Sequence, residues 1–483
     1  MTNGVRIGAL LIVAVAIAQH TGRLEAQGEP YRRDARQIFE RLIGFRSAAG
    51  HAQVPALARY IEETLAAGGV AAADVVTLPN KDTVALLVRV RGANTSARPI
   101  LFSSHIDVVD ARPEDWKRSP FALVEEGGMF YGRGTIDNKS GVTSLMSTIL
   151  RLRAAGHQPQ RTLVFAFIGD EETGMETTRL VVAHEWVRNA EYAINTDAGG
   201  GSLTNEGKAT VYLVQGAEKT YVDVTLEVTN PGGHSSWPRD DNALYDMARA
   251  LARIEQLRFP PMANDLTRAY LRTVGEATSG DEGDALRRFA ADPADAEAAE
   301  VLRRMPEHVG TTRTTCVATT IAGGHAPNAL PQRVTANVNC RVFPGHSIDA
   351  VRQALVGAIA DSRITVTVPD DVTISPVSEP RSDVMAAITR SVHQRHPGVP
   401  IVPYMESGGT DGIVYRNAGI PTWASPGVFM RASDMFAHGL DERVPVSAFY
   451  EAIDHIHDLG RCGRPGAPPP ATRARAATPR RAR

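Results

Sequence analysis

Five short stretches of the sequence carry side chains that bind cations or move protons. His105 and Asp107 stand two apart in His105-Ile106-Asp107, directly after the apolar run at 100–103. Asp137 lies in Tyr131-Gly132-Arg133-Gly134-Thr135-Ile136-Asp137-Asn138-Lys139, just ahead of a helical pattern that starts near Ser140. Glu171 and Glu172 belong to Ile168-Gly169-Asp170-Glu171-Glu172-Thr173-Gly174, which follows the apolar run TLVFAF. Asp197 follows Asn195-Thr196 and precedes Ala198-Gly199-Gly200-Gly201. His438, in Asp434-Met435-Phe436-Ala437-His438-Gly439, comes after the Gly-rich stretch Ser407-Gly408-Gly409-Thr410-Asp411-Gly412.

Taken singly, each has an ordinary explanation. An H-x-D pair is common, an Asp before a helix suits an N-cap, and an acidic loop is usually solvated. Together they place two histidines and several carboxylates where buried strands end. Residues two apart on a strand share a face, so Asp107 is expected to orient the His105 imidazole. Carboxylates crowded at the rim of a buried sheet are costly without cations nearby, and a bound metal would relieve that cost. Three cysteines, Cys316, Cys340 and Cys462, are too few and too scattered for a disulfide scaffold or a Cys-rich metal site. Any metal must then be held by His and carboxylates.

The elements that must position these residues follow from hydrophobic period. Helical patterns cover 33–68, and short Val/Ile/Phe-rich runs at 83–90, 100–103, 162–168 and 191–195 read as buried strands, with a helix over 140–152 between them. Strands alternating with helices predict an α/β fold whose mostly parallel sheet is flanked by helices. In such sheets ligands gather beyond the carboxyl ends of the strands. From about 218 the pattern becomes strand 221–228, helix 243–257, strands 314–321 and 333–342, helix 348–360 and strand 364–368, the order of a ferredoxin-like α+β unit. An Ala- and charge-rich helical insertion at roughly 262–308 interrupts it. A strand and a helix near 377–393 then resume the first sheet, which divides the chain into a catalytic domain of 30–217 plus 375–461 and an inserted domain of 218–374.

The ends and the bulk composition bound the rest. Arg6 followed by twelve apolar residues, 7–18, reads as a signal peptide within 1–26, cleaved at Ala16-Ile17-Ala18 or at Leu24-Glu25-Ala26. That run is too short to span a membrane, for which about 20 residues are needed, and no stable span is expected after processing. Residues 462–483, ending ATRARAATPRRAR, have almost nothing apolar to bury and are expected to form a disordered basic tail. Over 483 residues, 52 Lys and Arg stand against 54 Asp and Glu, so no global positive field exists to hold a nucleic acid.

The motifs H-x-D, G-R-G-x-x-D-x-K, D-E-E-x-G, a later carboxylate and a late H-G arrive in one order. That order resembles the co-catalytic zinc hydrolase family of carboxypeptidase G, aminoacylase-1, acetylornithine deacetylase and succinyl-diaminopimelate desuccinylase. The resemblance implies two Zn²⁺ per chain, with Co²⁺ or Mn²⁺ as substitutes. It implies that His105 and Asp197 bind one ion, Glu172 and His438 the other, and Asp137 both. It further implies Glu171 as general base and Asp107 as partner of His105. In Gly232-Gly233-His234-Ser235-Ser236, His234 corresponds to a histidine that crosses a homodimer to the neighbouring site, which makes the inserted unit a lid and dimerisation domain. Asn328 and Arg341 match positions that bind the substrate carboxylate, and the backbone amides of Gly408 and Gly409 are expected to approach the substrate's terminus.

The implied protein is a periplasmic or secreted zinc metallopeptidase or amidohydrolase acting beside a free carboxylate. Asp197, where acylases of the family more often have Glu, inclines the substrate towards short peptides or dipeptides. An N-acyl amino acid is the alternative, a carboxypeptidase role another. A non-catalytic peptide-binding protein is the distant one, disfavoured because Glu171 and every ligand are present.

Overall fold

A computed structural model describes residues 30–461. The expected signal peptide at 1–26 and the basic tail at 462–483, with Cys462, lie outside the described residues. Among the described residues no helix is long and apolar enough to cross a membrane.

The larger sheet has ten strands. Ile100–His105 runs at its centre, parallel to Leu163–Ile168 on one side and to Tyr192–Asn195 on the other. Thr422–Ala424 extends it in parallel beside Tyr192–Asn195, and Ala209–Glu218 carries Ile401–Glu406 in parallel as well. The outer pair Val75–Asn80 and Thr83–Val90 is antiparallel. Both faces are covered, and the period-2 side-chain pattern shows how. Leu86, Val88, Phe165 and Phe167 face one core with Phe102 and Ile149, while Ala85, Leu87, Val164, Ala166 and Ile168 face another with Val181 and Tyr415. Each fully buried aromatic or aliphatic side chain contributes ~1.5–3 kcal/mol, so these continuous apolar strands are stable only between two layers of helices.

The chain leaves this sheet at Glu218 and enters a four-stranded antiparallel sheet at Thr220. Its order is Thr315–Gly323, Arg333–Val342, Thr220–Thr229, Ile364–Thr367. Helices Ala243–Gln256 and Ile348–Ile359 cover one face through Met247, Ala250, Val351 and Leu355, giving the expected ferredoxin-like sequence of elements. Four helices between Asp265 and Thr312 form the insertion.

One expectation needs correction. The strand placed near 377 is not one: Pro376 and Pro380 remove ladder donors, and the segment docks instead through Ser378, whose N–H reaches the Gly216 carbonyl at 2.8 Å. The strand that resumes the sheet is Ile401–Glu406. The strand Ala209–Glu218 has no counterpart among the expected elements. Cys316 and Cys340 stand opposite each other on neighbouring strands and form one disulfide, a single bridge rather than a scaffold.

Candidate active site

Parallel register brings the sequence motifs together. His105 is paired with Ile168, and Ser103 with Asn195, so His105, the 169–172 loop and the 196–197 turn all leave the same edge of the sheet. Asp170 shapes the loop: its carboxylate accepts the N–H groups of Glu176 at 2.9 Å and Thr177 at 3.0 Å, tying the loop to helix Glu176–Ala183. Asp107 completes it, accepting the N–H of Glu171 at 3.2 Å and of Glu172 at 3.0 Å.

Here the structure refines an expectation. The strand ends at His105, so face-sharing no longer governs Asp107. The His105 Nδ1 lies 3.1 Å from the Asp107 carbonyl and 3.5 Å from its carboxylate. The carbonyl is the nearer partner of the ring, and the carboxylate, which also faces it, orients the Glu171–Glu172 loop.

Five side chains converge beyond this edge. His105 Nε2 lies 2.8 Å from Asp137 Oδ1 and 3.2 Å from Asp197 Oδ1. His438 Nε2 lies 2.9 Å from Asp137 Oδ2 and 3.0 Å from Glu172 Oε1. Asp137 thus turns one oxygen to each histidine, next to a cis peptide bond with Asn138. Donor atoms of His105, Asp137 and Glu172, and of His105, Glu171 and Asp197, fall into two groups, each within 4.8 Å.

The electrostatics are those of a site with too much negative charge. Burial, only partly offset by His105, pushes the Asp197 carboxyl up to about 7. Burial and then the Asp197 charge raise Glu171 well above an ordinary glutamate. Burial opposes charge on His105, yet Asp197 and hydrogen bonds to three aspartates outweigh it and raise its pKa. Hydrogen bonds to Asp137 and Glu172 push His438 up to about 10. Four carboxylates facing two imidazoles, with nitrogen and oxygen donors at these separations, fit divalent cations.

The candidate residues of the inserted unit gather elsewhere. His234 pairs with Ala329 in a two-residue ladder, and the Ser235 N–H reaches the Asn328 carbonyl at 2.9 Å, which puts His234 and Asn328 in one exposed turn. The His234 ring contacts Ser236 and Trp237, and among the described residues no hydrogen bond or ion pair joins it to the convergent five. Arg341 stacks over Tyr221 at 4.6 Å and reaches across to the other unit, where a Cβ on Gly409 would lie 3.9 Å from its Nη1. It makes no ion pair among the described residues. Gly408 departs from expectation: its N–H is directed at Glu406 Oε1, 3.3 Å away, so it is not free for a ligand.

Two buried groups near the site have no counterpart in the sequence reading. Asp411 accepts a short hydrogen bond from Thr178, and burial raises its carboxyl well above the usual range. Glu442 receives Arg133 and three backbone N–H groups. An acidic residue four beyond His438 was the available signal for Glu442.

Comparison with known proteins agrees with this geometry. Residues 101–460 match the sequence profile of Peptidase family M20/M25/M40. The human N-fatty-acyl-amino acid synthase/hydrolase PM20D1 is 27% identical over 388 residues, which cover 77% of this chain and 76% of that protein. A probable carboxypeptidase S-like protein of Dictyostelium discoideum is 27% identical over 385 residues, 76% of this chain and 72% of the other. The fold is similar to that of an M20 family metallo-carboxypeptidase from Sulfolobus solfataricus, with a TM-score of 0.68 at 18% identity, covering 89% of this chain and 99% of that one.

Proposed function

The chain belongs to peptidase family M20/M25/M40 and is a metallopeptidase or amidohydrolase, and from that premise we propose that it is an exported di-zinc amidohydrolase cleaving N-acyl amino acids at the amide beside their free carboxylate. The observation that carries this substrate choice is the loop bearing His438. Met435, Phe436 and Leu440 flank that ligand and are 58%, 37% and 54% exposed. Apolar side chains left in water beside a polar centre suit an acyl chain. Arg341, unpaired and next to Gly409, suits the carboxylate at the other end. The name of the human relative, an N-fatty-acyl-amino acid synthase/hydrolase, supports the same class. Short peptides are the second reading, favoured by Asp197 and by the carboxypeptidase-like relative.

His105 and Asp197 would hold one cation, Glu172 and His438 the other, and Asp137 both. Such a pair supplies Lewis-acid polarisation of the carbonyl and a water of lowered pKa. Glu171, beside a ligand without being one, takes the proton of the attacking water and delivers it to the leaving amine. Arg341 fixes the carboxylate, and His234 of the partner subunit donates to the oxyanion as charge develops on the substrate carbonyl.

Export rests on the basic-then-apolar sequence of 6–18 and on the Cys316–Cys340 disulfide, which persists in oxidising compartments. A homodimer rests on the lid's edge strand Thr315–Gly323. From 317 to 323 it is exposed, uncharged and free of proline, with Val317 62% and Ile321 53% exposed. Such an edge is a template for pairing with a second copy.

A substrate panel tests the reading. N-acyl amino acids with long apolar acyl chains should show higher kcat/KM than dipeptides, their carboxylate methyl esters should be poor substrates, and a chelator should abolish turnover. A preference for dipeptides, or indifference to the free carboxylate, would overturn it. The metal assignment has its own check. Asp137→Ala should lose both ions, because its two oxygens face both histidines, whereas His438→Ala should lose mainly one. Equal loss from both variants, measured by metal analysis, would count against the bridge.

A further inference from the structure

The segments that carry Asp137 and His438 leave one short ladder side by side. Strand Met129–Tyr131 pairs antiparallel with Arg443–Pro445, with Tyr131 opposite Arg443. Glu442 sits between the two segments, fully buried. Its Oε1 accepts the N–H groups of Ile136 at 2.8 Å and Asp137 at 3.2 Å. Its Oε2 accepts the Gly134 N–H at 3.1 Å and Arg133 Nη1 at 2.7 Å. Arg133 uses its other terminal nitrogen on the opposite loop, where Nη2 donates to the carbonyls of His438 and Gly439, each at 3.2 Å. The guanidinium lies over the Trp116 ring, 5.2 Å from its centre.

His438 needs such support. Its backbone is left-handed at φ 62°, a conformation that a non-glycine residue holds only where its surroundings enforce it. Its side chain is 53% exposed, so packing does little to fix it. The Asp137 turn is in the same position, its N–H groups being organised by Glu442 rather than by a regular element. A buried ion pair is weak evidence for stability, and its best-attested use is in fixing one arrangement over others.

We infer that Arg133 and Glu442 are positioning residues of the metal centre: one buried guanidinium–carboxylate pair that joins the 132–137 loop to the 438–442 loop and so sets Asp137 against His438. The inference rests on the metal-centre reading above. Neither side chain is a ligand; each acts through the backbone of one. Arg133 divides its donors between a carboxylate and two carbonyls, a geometry that the single ammonium of lysine cannot reproduce.

The test is metal binding, with no assay of turnover. Metal-free wild type, Arg133→Lys and Glu442→Gln are titrated with Co²⁺, followed by calorimetry and by visible absorption, after their melting temperatures without metal show that they are folded. Loss of a partner behind a ligand typically weakens metal binding by roughly 10–100-fold. That loss is expected in Arg133→Lys for the ion held by His438 and Glu172, with the ion held by His105 and Asp197 keeping its affinity. Glu442→Gln keeps the shape of the carboxylate but turns an amide towards the Ile136 and Asp137 N–H groups, and serves if Arg133→Lys does not fold; because Asp137 faces both histidines, both ions should weaken. Two binding steps at wild-type affinity in a folded variant would overturn the clamp, as would equal weakening of both ions in Arg133→Lys. Wild type that takes up no Co²⁺ would instead defeat the metal-centre reading beneath it.

Discussion

Glu171→Gln is expected to lower kcat by roughly 10²–10⁴-fold, the range typical of general acid–base catalysis, while the protein still takes up two ions. The substitution preserves size and one hydrogen-bonding oxygen but removes the capacity to accept a proton. The loop should hold its place, because its anchors are backbone groups. Asp107 accepts the N–H groups of residues 171 and 172, and Asp170 ties the loop to the helix that follows. Glu172 therefore stays opposite His438. Burial raises the proton affinity of Glu171, which is what a base needs if it is to take a proton from water and release it to an amine. Kinetics alone would not separate this role from metal loss, so metal content is measured on the same samples. Near-normal kcat would reject Glu171 as the base, and loss of an ion would reassign it as a ligand.

The different visibility of these residues in the sequence has a physical origin. His105, Glu171, Glu172 and Asp197 were legible because each follows an apolar run that can only be a buried strand. The end of such a strand in an α/β sheet is a place where polar side chains are not expected unless they bind something. Asp107 was found as a neighbour of His105, but its second contact, with the N–H groups of residues 171 and 172, was not, since alternation holds only while the strand lasts. Ala209–Glu218 stayed hidden because Gln215 and Glu218 interrupt its apolar pattern. Both are buried: Gln215 donates to Glu218, and Glu218 accepts from Thr410 and Arg416, which the fold brings in. Arg133 and Glu442 are 309 residues apart, and no local pattern announces such a pair. The ladder joining Met129–Tyr131 to Arg443–Pro445 creates it.

The lid histidine is where the sequence resemblance asks most of the structure. Within one chain the His234 turn is exposed, and among the described residues its ring meets Ser236 and Trp237 alone. A role in the chain's own site would need contacts that the described residues lack, whereas a role in a partner's site needs a dimer, and the uncharged edge Thr315–Gly323 offers one. Pairing of two such edges about a two-fold axis is antiparallel and self-complementary. His234→Ala should then lower kcat by about 10²–10³-fold, as loss of an oxyanion donor does, and should change KM less, because the interaction forms mainly in the transition state. Ile321→Lys places a charge on the pairing edge. It should yield monomers with the same kinetic defect although His234 and every ligand are intact. Mixing His234→Ala chains with Glu171→Gln chains should restore activity. In a heterodimer, one site keeps its own Glu171 and receives His234 from the other chain, while the second site lacks both. After random exchange half the dimers are mixed, so activity should approach about one quarter of wild type. A mixture that stays inactive although subunit exchange is demonstrated would place His234 in its own chain's site or remove it from the reaction, and a fully active Ile321→Lys monomer would do the same.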